Sequence, residues 1–141
     1  MLRPRPDVLL GLVLLAVAGC AEPRYPPPIR AGAACAACGM RIENMRFATE
    51  QRAQGSWRPY DSIECLLREA ESTHEAFLSD YDTQALYAAD SMWVVRGRID
   101  SPMGGGYAAF LGRAQADEAA AETEGEVFRL DALIAAKGAT P

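Results

Sequence analysis

Apolar and polar residues fall into a readable rhythm from Glu43 onward. Phe47 to Ala53 mixes polar and apolar β-compatible residues, and Gln54-Gly55-Ser56 is a turn signal. Trp57 to Tyr60 reads as the returning strand, with Pro59 marking an edge or an end. Asp61 and Glu64 form a D-x-x-E capping box, and Ile63, Leu66, Leu67 and Ala70 follow at the spacing of one helix face. A polar loop comes next, and Gln84 to Ala89 reads as another strand. The order over residues 43–89 is therefore β-β-α-β.

The second half repeats that order. Met92 to Ile99 is rich in strong β-formers, Ser101 to Gly106 is a turn, and Tyr107 to Leu111 is the return strand. Arg113 to Thr123 is Ala- and Glu-rich, hence helical, and Gly125 is placed as its stop. Glu126 to Leu130 is a short strand, and Asp131 is placed to cap a terminal helix. The pattern predicts an α+β fold of two small β-β-α-β halves, residues 35–90 and 91–141. Each is too small to be stable alone on size grounds, so the two should pack together.

What precedes the halves has a different character. Arg3 and Arg5 make a positive start, and Val8 to Val17 is an apolar run too short to span a bilayer. Val17-Ala18-Gly19-Cys20 has the form of a bacterial lipobox, so residues 1–19 read as a lipoprotein signal and Cys20 as the acylated first residue. Removing Arg3, Arg5 and Asp7 leaves the mature chain more acidic. Residues 20–34 carry four of the nine prolines and no apolar periodicity, as an acylated tether with polyproline character would. The lipid would anchor the chain to a membrane with the domain facing the periplasm. Ala21 is not the Asp linked to inner-membrane retention, which points to the outer membrane.

Composition narrows the chemistry. The chain has 141 residues, half of them hydrophobic, which excludes a disordered protein. A net charge of −5 argues against nucleic acid as a partner. One His excludes sites built from two or three imidazoles, hence most catalytic zinc and facial-triad iron sites. Sulfur remains. With Cys20 assigned to the lipid, three thiols are left, an odd number outside the cytoplasm.

Two of them lie in Cys35-Ala36-Ala37-Cys38-Gly39-Met40. No second CxxC or HxxxH completes a zinc site, Gly39 stands where c-type haem attachment needs His, and the strand–helix setting of a thioredoxin-like motif is absent. Met40 discriminates further. Thiolate and thioether are both soft donors, and a thioether suits Cu(I) far better than Zn²⁺, Mg²⁺ or Ca²⁺. Gly39 relaxes the backbone between them. Met103, in Ser101-Pro-Met-Gly-Gly-Gly106, is either a methionine offered to the same copper or to a docking partner, or an incidental residue of a flexible turn. Cys65, beside the apolar stripe, reads as a small packed hydrophobe, and His74 as solvated surface. Met45 and Met92 read as core, as do Trp57 and Trp93.

The lipobox Cys20, the Pro-rich tether, Cys35-x-x-Cys38-Gly-Met40, Tyr60-Asp-Ser-Ile-Glu-Cys65-Leu66 and Ser101-Pro-Met-Gly-Gly-Gly-Tyr-Ala-Ala-Phe110 together resemble the NosL family. The resemblance spans the mature chain. It implies two β-β-α-β halves and a Cu(I) chaperone lipoprotein, a carrier and not an enzyme, serving maturation of nitrous-oxide reductase. It implies as partners a membrane ABC-type complex with its periplasmic partner and ultimately nitrous-oxide reductase. The family's Cys-x-Met ligand pair maps onto Cys38 and Met40. Cys35 and Met103 are further candidates, and the third ligand stays open because His74 sits in no family motif. The alternative from the residues is a periplasmic thiol-disulfide protein using Cys35 and Cys38.

Overall fold

The computed structural model describes residues 24–139; the expected signal, Cys20 and the first residues of the tether lie outside them. Among the described residues no helix is long and apolar enough to cross a membrane. Strands β1 (Thr49–Ala53) and β2 (Ser56–Tyr60) form a hairpin and lead into helix α1 (Ile63–Glu69). Strands β3 (Ala76–Ser79) and β4 (Leu86–Ala88) complete an antiparallel sheet ordered β2-β1-β3-β4. A short 3-10 turn, Ala89–Ser91, leads to β5 (Trp93–Arg96) and β6 (Tyr107–Phe110). Helix α2 (Arg113–Glu122), β7 (Glu126–Phe128) and helix α3 (Leu130–Gly138) follow, with the second sheet ordered β6-β5-β7.

The architecture is the α+β arrangement the pattern predicts, with one strand more in the first half. Ala76–Ser79, expected as the end of a polar loop, is β3 and pairs with β1, while the predicted 84–89 strand shrinks to the edge strand β4. All four residues of β3 are buried, so the alternation that marks a half-buried strand is missing there.

The helix ends also differ from expectation. Ser62, not Asp61, caps α1: its hydroxyl accepts the Cys65 N–H at 3.3 Å. Asp61 is thereby left for another use. Helix α2 closes with Glu124 at φ +52° and the Gly125 N–H on the Ala120 carbonyl at 2.8 Å, so Gly125 does mark the stop, one residue beyond the left-handed position. Arg129 precedes α3 without a side-chain cap, and Asp131 lies within the first turn, where its charge suits the helix dipole.

Several contacts join the halves. Asp80 at the end of β3 bridges Ala109 of β6 in parallel, and its carboxylate accepts the Leu111 N–H at 2.9 Å. Helix α1 packs on β1 and β2 of its own half and on β6 and α3 of the other. Lys137 of α3 donates to the Leu67 and Ala70 carbonyls at 2.8 and 2.7 Å, satisfying the free C-terminal end of α1. One buried group runs through both halves and includes Ile42, Tyr60, Leu66, Leu78, Met92, Val94 and Leu130.

Met92 is core as expected, and Met45 packs half-buried against it. The tryptophans are not core. Trp57 sits half-buried, edge-on to Phe77. Trp93 is half-buried and packs against the guanidinium groups of Arg113 and Arg129, 4.6 and 4.5 Å from its ring centre. Within the stretch expected as tether, Tyr25 meets Phe77 edge-on and Ile29 and Ala33 pack against the core.

Candidate metal centre

The CxxCGM segment is a closed loop. Ala34 and Arg41 pair as an antiparallel bridge, Cys35 N–H donates to the Met40 carbonyl at 2.8 Å, and Gly39 N–H donates to the Cys35 carbonyl at 2.9 Å. Gly39 adopts φ +77°, the left-handed geometry that turns the chain back and that a β-carbon would strain. The loop is fixed to β2 through Ala36 N–H on the Pro59 carbonyl at 2.8 Å. This arrangement aims Cys35 inward, where it is 2% exposed, and leaves Cys38 half-buried.

Directly across, β2 ends and α1 begins. Because Ser62 takes the cap, the neighbouring Asp61 points to the loop and Cys65 enters from the first turn of the helix. The sulfurs of Cys35, Cys38 and Cys65 and a carboxylate oxygen of Asp61 all lie within 4.8 Å of one another. Two sulfurs bound at about 2.3 Å to one ion are at most about 4.6 Å apart. The cluster therefore needs little adjustment to share a soft metal.

Cys65, expected as packing, is the residue that the sequence reading missed. It is fully buried, and it is also one wall of the thiol cluster. Its place in the Tyr60-Asp-Ser-Ile-Glu-Cys65 segment was the available signal, because that segment brings a carboxylate and a thiol together around one helix start.

Protonation follows from the surroundings. Burial raises the Cys38 thiol above its usual range, against the lowering effect of the Met40 backbone N–H on its sulfur. Burial raises Cys65 further, with added contributions from hydrogen bonding to Asp61 and to the other thiols. Cys38 Sγ donates to Asp61 Oδ2 at 3.7 Å, while Asp61 Oδ1 is buried without a partner. A buried carboxylate oxygen left open beside three thiols is a polar atom that a cation entering the cluster would satisfy.

The two methionines are less buried than Cys35 and Cys65. Met40 is 53% exposed, and with Arg41, Asp61, Ser101 and Pro102 it lines a depression of about 350 Å³. Met103 is half-buried and, like Cys38, packs against the core group that includes Cys35 and Cys65. His74 is on the surface, beside Glu75 and far in role from the thiols. Residue Cys20 lies outside the described residues.

No protein-family model and no curated protein sequence matches the chain. Among solved structures, the fold is similar to the crystal structure of the copper chaperone NosL from Shewanella denitrificans. The match has a TM-score of 0.65 and 18% sequence identity and covers 78% of this chain and 96% of that one. The chain has a small α+β fold of two antiparallel sheets and three helices. More particularly, it is the NosL-like fold.

Proposed function

We propose that this protein is a copper carrier, a Cu(I)-binding metallochaperone lipoprotein that faces the periplasm and supplies copper for maturation of nitrous-oxide reductase. The observation that carries the proposal is the convergence of Cys35, Cys38 and Cys65 around one point, with Met40 exposed in the same loop. Thiolate and thioether donors select a soft, low-coordinate ion, and the cluster has no imidazole. The carboxylate of Asp61 is a poor ligand for Cu(I); it accepts the Cys38 thiol hydrogen bond beside the sulfurs.

The setting suits transfer. Cys35 and Cys65 are buried and hold cargo away from water, whereas Cys38 is half-buried and Met40 and Asp61 line the depression through which an acceptor can approach. Donor ligands can then leave one at a time as acceptor ligands join. The fold likeness to a copper chaperone supports the reading, as do the sequence motifs that resemble the NosL family. Acylation at Cys20 would hold the carrier at the membrane, near an ABC-type complex and its periplasmic partner. We take Cu(I) to be cargo and the protein to be no enzyme.

The rival reading, a thiol-disulfide protein, needs an exposed and acidified attacking thiol. Here two of the three thiols are buried, and Cys38 is shifted toward the protonated form. The deciding experiment is an anaerobic Cu(I) titration against a chromogenic competitor, on the wild type and on Cys38→Ser, Met40→Leu and Cys65→Ser. Tight binding that falls by tenfold or more in Cys38→Ser supports the proposal. A wild type without Cu(I) affinity, or substitutions without effect, overturns it. Loss of copper-dependent nitrous-oxide reductase activity in a deletion strain tests the client.

A further inference from the structure

The loop that carries Met103 is held in place by a residue of the opposite half. Glu64 Oε1 accepts hydrogen bonds from Ser101 Oγ and from the Gly105 N–H, the latter at 2.9 Å. Ser101 Oγ in turn accepts the Gly106 N–H at 2.9 Å, and Gly104 N–H closes on the Ser101 carbonyl at 2.9 Å. Both ends of the Pro-Met-Gly segment are thus fastened to one carboxylate.

Glu64 is also the neighbour of Cys65 in the first turn of α1, so one helix turn supplies both a wall of the thiol cluster and the fastening of the loop. The loop needs glycine to sit this close. A β-carbon at residue 105 would lie 2.5 Å from Glu64 Cγ. Ser101 and Pro102 line the same depression as Met40 and Asp61.

We propose that Glu64 is a positioning residue for metal binding: by clamping Ser101 and Gly105 it holds Met103 packed on the core group that contains Cys35 and Cys65, within reach of a metal bound there. This inference rests on the copper-carrier reading. Without the clamp, the glycine-rich segment is free to swing Met103 toward solvent, and a sulfur donor is lost although every cysteine remains. Partners that orient metal ligands typically change affinity by 10–100-fold when removed.

The test compares Cu(I) release to a competing chelator, apo-protein melting and the Met103 methyl resonance in six proteins: wild type, Glu64→Ala, Glu64→Gln, Gly105→Ala, Met103→Leu and the double variant Glu64→Ala with Met103→Leu. Glu64→Ala should speed release by about tenfold. Adding Met103→Leu to it should change nothing further. Glu64→Gln keeps an accepting oxygen and should restore slow release. Gly105→Ala leaves the charge at Glu64 in place but pushes the clamp apart, and should behave as Glu64→Ala. The copper-induced shift of the Met103 methyl should vanish in both loosened variants while the cysteine contacts persist. Wild-type release from a folded Glu64→Ala protein, or effects of Glu64→Ala and Met103→Leu that add in full, overturns the inference and leaves the carrier reading standing. A wild type that takes up no Cu(I) overturns both.

Discussion

Cys38 Sγ lies 3.7 Å from Asp61 Oδ2, a thiol donating to a carboxylate whose other oxygen is buried and open. Cys65 shares that carboxylate, and both thiols are held toward the protonated form. Metal entry must therefore expel protons. Apparent Cu(I) affinity should climb from pH 6 to pH 8, by up to about tenfold per pH step for each proton displaced. A flat profile would remove these thiols from the ligand set. Asp61→Asn should lower the Cys65 pKa, since the carboxylate that retains its proton is gone, and thiolate absorbance in the ultraviolet against pH reads the change.

Glu50 supplies a second pH dependence, unconnected with metal. It is 3% exposed, its Oε2 has no partner, and burial raises its carboxyl to about 7. The folded protein thus prefers the protonated acid. Its contribution is intact at acidic pH, below the unfolded value of 4.5, and is lost as pH rises from there through about 7. The loss is on the order of 3 kcal/mol by pH 8. Glu50→Gln should be more stable than wild type at pH 8 and close to it at pH 4.5. Urea unfolding at the two pH values gives the answer, and equal differences at both would refute the assignment.

Lys137 closes the C-terminal end of α1 with two carbonyl contacts from α3. Lys137→Met keeps the aliphatic stem and removes the ammonium group. The expected cost is about 1 kcal/mol, seen as a lower urea midpoint. An unchanged urea midpoint in Lys137→Met would show that the contact adds nothing of its own.

Gly106 combines φ +75° with a close approach: a β-carbon there would sit 2.1 Å from the Gly97 carbonyl oxygen. That carbonyl belongs to backbone tied by Gly97 N–H to the Gly106 carbonyl at 2.9 Å, so neither strand end can yield cheaply. Gly106→Ala should cost about 2 kcal/mol or more. Gly104, also left-handed but facing open space, should cost less when replaced by Ala. Circular-dichroism melting ranks the two.

Much of the fold was readable because its elements carry local marks. The stripe of Ile63, Leu66 and Ala70 forms α1, and Gly125 stops α2, since helix periodicity and a left-handed exit are properties of a few adjacent residues. Strand β3 was not readable, because Ala76-Phe77-Leu78-Ser79 is buried on both faces and has no β-branched residue. The candidate site divides in the same way. Cys35 and Cys38 stand out by their spacing, but Cys65 joins them only through tertiary packing of α1 against the loop, and a lone helical Cys looks like any small core residue. Trp93 was misplaced for a related reason: its burial is set by two arginines from distant segments.

The contact between Lys137 and the end of α1 spans some seventy residues of chain. Synthesis runs from the N-terminus, so all three thiols emerge well before the helix that finishes their surroundings. During that interval the newborn chain carries three reactive sulfurs on an unsealed scaffold. Its exposure to stray metals and oxidants is therefore greatest before α3 arrives and least once that helix has docked.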